Sequence, residues 1–347
     1  MTKIDETFCV LVATLAVLAA GSGTAHAQPT MSTGPAPKGL VVGSGNFYSP
    51  IVANLEQAVA FYRDGIGFDV QGEPTSAEKN PQLRAMFGLP NEKLRQQIAR
   101  AAPTPGGVEI VEIPGAVVER KVQDPGTVML MVVVRDINTT LARLKKLGAP
   151  IVTTGGVPVV VQGVLAIVVK DPAGHFVELV QLGGAPPAAE GANANIIGVR
   201  VRHTVENLER SLALYRDGLG LQGSSQVPPY FSEPTVLDLL GLPHDVQYRF
   251  GMLTVPTSGL GIELIEFKDA HRAAAPARLA PGSTRLQLRV ADIDAAVAVL
   301  TKAGGTFIST GGKPLDLPAG STTLKVGIVR DPDDLFLVLI QAPPAPR

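Results

Sequence analysis

The chain has 347 residues, with 30 basic and 31 acidic side chains, one cysteine and no tryptophan. A net charge this close to zero gives no electrostatic pull toward nucleic acid or an anionic membrane surface. Cys9 lies in an N-terminal apolar run, so the rest of the chain has no disulfide, no thiol nucleophile and no thiolate metal ligand.

That run, Phe8 to Ala20, leads to Ala25-His26-Ala27 and has the form of a signal peptide with a small-x-small cleavage site. Cleavage before Gln28 is expected, placing the mature protein in the periplasm or outside the cell. Residues 1–27 remove Lys3, Asp5 and Glu6, which leaves the mature charges balanced, and no later segment is long and apolar enough to span a bilayer. The Pro- and Gly-rich stretches 28–40 and 184–195 read as linkers and 342–347 as a tail. They delimit two expected domains, 41–183 and 196–341.

The two domains are copies. LEQAVAFYRDGIGF from Leu55 returns 153 residues later as LERSLALYRDGLGL, RAMFGLP returns at the same offset as LDLLGLP, and VEIVEI from Val108 returns 154 residues on as IELIEF. A smaller unit repeats inside each half. In module 1, Ser49 to Val52 predicts a strand, Asn54 caps a helix over Leu55 to Arg63 that Gly65 and Gly67 end, and extended segments lead to VEIVEI. Module 2 repeats the order: MLMVVV, the cap Asp136, a helix through INTTLARLKKLG, then IVTTG, VLAIVV, the turn DPAG and HFVELVQ. Module 3 begins with the second copy of the helix phrase. Module 4 has LQLRV, the cap Asp292, IDAAVAVLTKAGG, TFIST, LKVGIV, the turn DPDD and LFLVLIQ. The fold class is therefore α+β, four βαβββ modules. No GxGxxG sits between a strand and a helix, which disfavours a dinucleotide fold.

The combination of capped helix, FYRDGIGF and DPAGHFVEL resembles the vicinal oxygen chelate superfamily, which includes glyoxalase I, bleomycin resistance proteins and extradiol dioxygenases. The resemblance covers Phe47 to Gln341. It implies cup-shaped sheets built from two modules each, and for metal-dependent members a His, Gln or Glu seven residues before the helix cap with a Glu in the last strand. Those positions here hold Phe47, Met129, Arg200 and Arg285 in the first strands, and Glu109, Glu178, Glu263 and Val338 in the last. This set predicts no cofactor and no tightly held catalytic metal ion, since imidazole is missing and arginine repels a cation; a site held mostly by oxygen stays open only if the register is off at Phe47 and Met129. The four mature histidines, His175, His203, His244 and His271, have no ligand-pair spacing and are expected in packing or solvent roles.

Strand alternation predicts which side chains face the cups. If modules pair in chain order, the first cup is lined by Phe47, Ser49, Ile51, Met129, Met131, Val133 and Phe176, with Glu109 and Glu178 either paired with Arg95, Arg100 or Lys170 or acting as general bases. The second cup then presents Arg200, Arg202, Arg285 and Arg289 with Thr204, Glu263 and Gln287, and Arg200 with Arg285 would clamp a small organic anion. Sequence leaves open whether modules pair in chain order or exchange partners, and whether the protein forms a homo-oligomer. Two functions stay in contention: binding of a small, anionic organic ligand, as bleomycin resistance proteins sequester drugs, and a lyase, isomerase or dioxygenase of the superfamily. An exported glyoxalase would lack the thiol cofactor of the reducing cell interior.

Overall fold

The computed structural model describes residues 39–343, apart from 71, 102–103, 105, 185–194, 224–225, 270–272 and 274. The expected signal peptide, most of both linkers, the end of the tail and His271 lie outside the described residues.

Module 1 supplies β1 (Ser49–Val52), helix α1 (Leu55–Ala60), helix α2 (Pro81–Met86), β2 (Arg95–Arg100) and β3 (Gly107–Glu112). Module 2 supplies β4 (Val128–Val134), α3 (Ile137–Lys146), β5 (Val159–Val161), β6 (Val164–Lys170) and β7 (Phe176–Gln181). Module 3 has β8 (Ile196–Thr204), α4 (Leu208–Leu212), α5 (Pro234–Leu239), β9 (Tyr248–Thr254) and β10 (Gly261–Phe267). Module 4 has β11 (Thr284–Val290), α6 (Ile293–Lys302), β12 (Leu315–Ala319), β13 (Thr322–Arg330) and β14 (Phe336–Gln341).

Each helix cap works as its residue type demands. Asn54, Asp136, Asn207 and Asp292 sit in extended backbone, and each side chain accepts from the backbone N–H three residues on. One local feature departs from expectation: α1 and α4 both widen into a π-helical turn, Phe61–Ile66 and Ala213–Gly218. The repeated phrase therefore encodes this turn, which Gly67 closes at φ 104°.

The modules exchange partners. Among the described residues the strands form two sheets. One runs β9-β10-β8-β4-β7-β6-β5 and joins modules 2 and 3; the other runs β13-β14-β11-β1-β3-β2 and joins modules 4 and 1. In the first, β4 and β8 lie antiparallel at the centre with Leu130 opposite Val201, and in the second β1 meets β11 through Ser49 opposite Arg285. The two sequence copies thus each contribute one module to each cup, so the chain-order cups considered above do not form.

Contacts behind the sheets hold each sequence half together. The Tyr62 hydroxyl donates to Asp171 of the DPAG turn at 3.0 Å, and Tyr215 donates to Asp331 of the DPDD turn. Gly65 and Gly218 leave no room for a Cβ, which would lie 2.6 Å from Leu144 and 2.9 Å from Val299 on the neighbouring helix. In both copies the Tyr and Gly of the phrase dock one module's helix on the next module's helix and turn, while its Arg and Asp pair with each other at the surface. A continuous apolar core of these helices and the backs of both sheets fills the space between the cups.

The copied GLP phrases explain two short helices that the sequence reading took as extended. Pro81 and Pro234 start α2 and α5, and each helix reaches across its cup to the partner module. Gly88 and Gly241 follow at φ 68° and 65°, with space for a Cβ denied by the backbone of Ile308 and Val152. Hydroxyls latch both ends: Ser309 donates to Met86 O at 2.6 Å and Thr153 to Leu239 O at 2.9 Å.

Candidate functional site

The cup of modules 2 and 3 collects charge at its floor. Pairing sets Met129 opposite Arg202 and Met131 opposite Arg200 on the central strands, and the parallel outer strands add Glu178 beside Met131 and Glu263 beside Arg202. The Arg202 guanidinium bridges the two acids: Nη1 donates to Glu178 Oε2 at 2.9 Å and Nε donates to Glu263 Oε1. Nη1 also lies 3.6 Å from the Met129 thioether sulfur. Burial works against the charge on Arg202, but Glu263 and Glu178 together hold its pKa above the ordinary arginine value. Burial raises the Glu178 carboxyl above the usual carboxylate range, against the pull of Arg202.

Arg200 is left over. Its side chain is 7% exposed and, among the described residues, makes no hydrogen bond or ion pair. It lines a cavity of ≈ 390 Å³ together with Glu178, Glu263, Arg202 and an apolar wall that includes Met131, Phe231, Tyr248 and Phe250. Phe231 packs on Tyr248 with ring centroids 4.6 Å apart and on Phe250 at 6.0 Å, so the module 3 side of the cavity is aromatic. A concave apolar site with a few convergent polar groups is the usual form of a small-molecule site.

The cup of modules 1 and 4 is closed around its charges. Arg285 has no exposed surface; its Nη2 donates to Glu109 Oε2 at 2.8 Å, and the Phe87 ring covers the guanidinium at 4.5 Å. Gln287 Nε2 donates to the same oxygen at 2.7 Å, its Oε1 accepts from Asn46 N at 2.9 Å, and Ser49 donates to Glu109 at 3.4 Å. Burial lowers the Arg285 pKa, and Glu109 only partly offsets this.

Side-chain volume explains why one cup is roomy. Matching the DPAG and DPDD turns aligns β5, β6 and β7 with β12, β13 and β14 through the same strand pairing. Where the open cup has Val161, Val164, Ala166 and Val180, the closed one has Leu317, Leu324, Val326 and Ile340, each larger by at least one carbon. These side chains, with Phe87, Met86, Ile51 and Phe336, form the apolar cluster that fills the concave face.

A glyoxalase-type description, the Glyoxalase/Bleomycin resistance protein/Dioxygenase superfamily, matches residues 47–179 and again residues 199–338. The chain belongs to this superfamily. Among solved structures it is similar to glyoxalase I from Zea mays, at 16% identity and a TM-score of 0.52 over 85% of this chain and 92% of that one. It is also similar to a putative dioxygenase from Bacillus subtilis, at 12% identity and a TM-score of 0.51 over 88% and 87% of the two chains. At these identities the likeness speaks for the fold. Comparison with curated protein sequences finds no match.

The donor set of the open cup does not fit a divalent ion. Arg202 stands between the two acids, Met129 offers a soft thioether, and among the described residues no three His, Cys, Asp or Glu side chains come together to hold a metal. Of the residues predicted to share the first cup, Met129, Met131, Phe176 and Glu178 belong to the open cup, while Ser49 and Glu109 belong to the closed one. Arg200, Arg202 and Glu263 join the former; Arg285 and Gln287 join the latter. The expected Arg200–Arg285 clamp is therefore corrected: the two stand in different sheets because first strands pair β4 with β8 and β1 with β11.

Three placements differ for local reasons. Phe47 lies in a bend ahead of β1, where strand parity does not apply, and is buried on the helix side 6.4 Å from Phe68. Arg289 is exposed near the end of β11, and Thr204 is buried but donates to Val122 O. Arg95 pairs with Glu56 and Glu112 instead of the cup acids, and Lys170 lies over the Phe176 ring at 4.9 Å. The described histidines have structural settings: His175 bridges Asp171 and Ser283 O, His244 pairs with Asp238 at the surface, and His203 is fully buried with neither ring nitrogen partnered. Sequence reasoning missed the aromatic wall, although Tyr248 and Phe250 alternate in YRFGM with the parity of a cup-facing strand.

Proposed function

We propose that this protein binds a small organic anion with a largely apolar body in the cavity between modules 2 and 3, its acid group held by Arg200 and no metal ion taking part. Arg200 carries the reading. Its guanidinium lines the cavity with no hydrogen bond or ion pair among the described residues, acting on Glu178 only through its field, so its donors are free for a ligand carboxylate, which accepts two parallel hydrogen bonds from such a fork. The aromatic and aliphatic walls suit the remainder of such a ligand. Calorimetric titration with a panel of aryl and alkyl carboxylates tests this. At least one should bind, and Arg200→Met should weaken it about 10- to 100-fold, as expected for a lost hydrogen bond to a charged group. Equal affinity in both proteins would refute the role of Arg200.

One observation favours a second reading, isomerase or lyase chemistry on the same ligand: Glu178 lines the cavity with a raised pKa, a setting suited to moving a proton. Deuterium exchange at a ligand carbon that is lost in Glu178→Gln while binding persists would support it, and absence of exchange in the unaltered protein would exclude it. We also read the protein as exported, on the apolar run and Ala25-His26-Ala27. Intact-mass measurement from the native host should give a chain starting at Gln28. No helix among the described residues is long and apolar enough to cross a membrane.

A further inference from the structure

We propose that the Arg202 guanidinium is the resident cation of the open cup: it fills the point where the last-strand carboxylates of modules 2 and 3 converge, and it thereby hides a latent divalent-cation site. Glu178 and Glu263 come from β7 and β10, the strands that flank the central pair on opposite sides, and both are almost fully buried. Two carboxylates brought together away from water repel each other, so one cation must sit between them for both to remain ionised. Arg202 meets that requirement with a fork that gives one nitrogen to each acid, and its third close contact, Met129, is uncharged. The guanidinium has no lone pair to offer a metal and keeps its proton at any physiological pH. A covalently attached cation cannot be chelated away or exchanged.

The arrangement also divides labour between neighbouring arginines. Arg202 is committed to Glu178 and Glu263, which leaves Arg200, two residues along the same strand face, as the cation available to a ligand. The inference about Arg202 rests on the reading that the cup works without metal, but it does not require that any anion bind Arg200.

The test removes the guanidinium and offers a metal in its place. Arg202→Ala should leave the acids with no direct partner and only the field of Arg200, and lower the melting temperature at pH 7 by about 10 °C, the scale expected for breaking a buried ion pair in a chain of this size. Zn²⁺ or a shift to pH 5 should restore most of that loss, because either one neutralises the carboxylates. Arg202→His, which puts an imidazole between the acids, should bind Zn²⁺ with 1:1 stoichiometry in equilibrium dialysis, and the unaltered protein should take up none. If Arg202→Ala does not fold, the triple change Arg202→Met, Glu178→Gln, Glu263→Gln replaces it, and recovery of a cooperative melting transition supports the repulsion account. Stoichiometric Zn²⁺ on the unaltered protein would overturn the proposal. So would a folded Arg202→Ala whose stability ignores both Zn²⁺ and pH, or a triple variant no better folded than the single one. Carboxylate titration of Arg200→Met reads the proposed ligand role separately from these metal measurements.

Discussion

The two cups share strand order, helix latch and floor positions, yet one is a solid core and the other holds a cavity. The difference is partly arithmetic of charge. The closed cup has one arginine and one acid on its floor, Arg285 and Glu109; they pair through Arg285 Nη2 under the Phe87 ring, while Arg285 Nε and Nη1 are buried without a hydrogen-bond partner among the described residues. The open cup has two acids and two arginines, but both acids converge on Arg202 and Arg200 stays unpaired. The other part is volume, since replacing Leu317, Leu324, Val326 and Ile340 by Val161, Val164, Ala166 and Val180 withdraws carbon from the concave face. Duplication gave the protein two equivalent cups, and these differences leave one filled and the other open.

The largest expected effect breaks the scaffold. Arg285→Leu removes the counter-ion of Glu109 and should destabilise the protein by about 3–5 kcal/mol in denaturant unfolding. Ligand affinity in the open cup should be unchanged wherever the protein is folded. Arg200→Met should change the unfolding free energy far less, because Arg200 makes no hydrogen bond or ion pair among the described residues and acts on Glu178 only through its field. If the two arginine variants lose equal stability, the contrast between a structural and a ligand-directed arginine fails.

A smaller effect comes from converting one cup into the other. Val161→Leu, Val164→Leu and Ala166→Val together copy closed-cup side chains into the open cup, and should reduce carboxylate affinity at least about tenfold while raising stability by about 1–2 kcal/mol. Should affinity survive, the ligand site lies elsewhere.

The smallest effect distinguishes the two turns behind the cups. Asp171 faces His175, whose imidazole burial tends to discharge but whose contacts with Asp171 and Ser283 O raise its pKa. Asp331 Oδ1 instead accepts from Asp333 N and Leu335 N and its Oδ2 from the Tyr215 hydroxyl; the charge of the Asp333 carboxylate, which holds Arg210, acts on it, and His203 packs on Tyr215. Burial, reinforced by Asp333, pushes Asp331 up to about 7. The folded chain therefore keeps a proton between about pH 4 and 7 that the unfolded chain releases, and stability from this group falls as pH rises through that window. His203, pushed down to about 4 by burial, acts in the opposite sense: its stabilisation is present above the ordinary histidine range and is lost as pH falls toward 4. Comparing pH–stability curves, Asp331→Asn should gain on the parent protein from pH 4 to 7, and His203→Phe should gain on it from pH 6.5 down to 4. Parallel curves for parent and variants would remove these groups from the account.

Much of the fold was legible because local physics repeats itself. Asn54, Asp136, Asn207 and Asp292 mark helix starts by a hydrogen bond made within three residues, and the apolar runs at β4, β7 and β14 have no other stable use. Which modules share a sheet was not legible. That choice lies in contacts such as Leu130 with Val201, whose residues carry no mark of their distant partner. The direction of side chains on a strand was more legible than the partner of the strand. Arg200, Arg202, Glu178 and Glu263 were all identified from strand parity, but pairing in chain order would have put Glu178 in one cup and the other three in the second. Phe47 shows where counting ends, since a bend before β1 breaks the alternation on which parity depends.

A crystal structure of the protein grown with the tightest-binding carboxylate of the panel tests the central asymmetry most directly. The account predicts the ligand in the cavity between modules 2 and 3, its carboxylate on both terminal nitrogens of Arg200 and its body against Phe231 and Tyr248, with the Arg202 bridge and the closed cup unchanged. A ligand acid seated on Arg285, or Arg200 turned onto Glu178 or Glu263 with the cavity filled by protein, would contradict it.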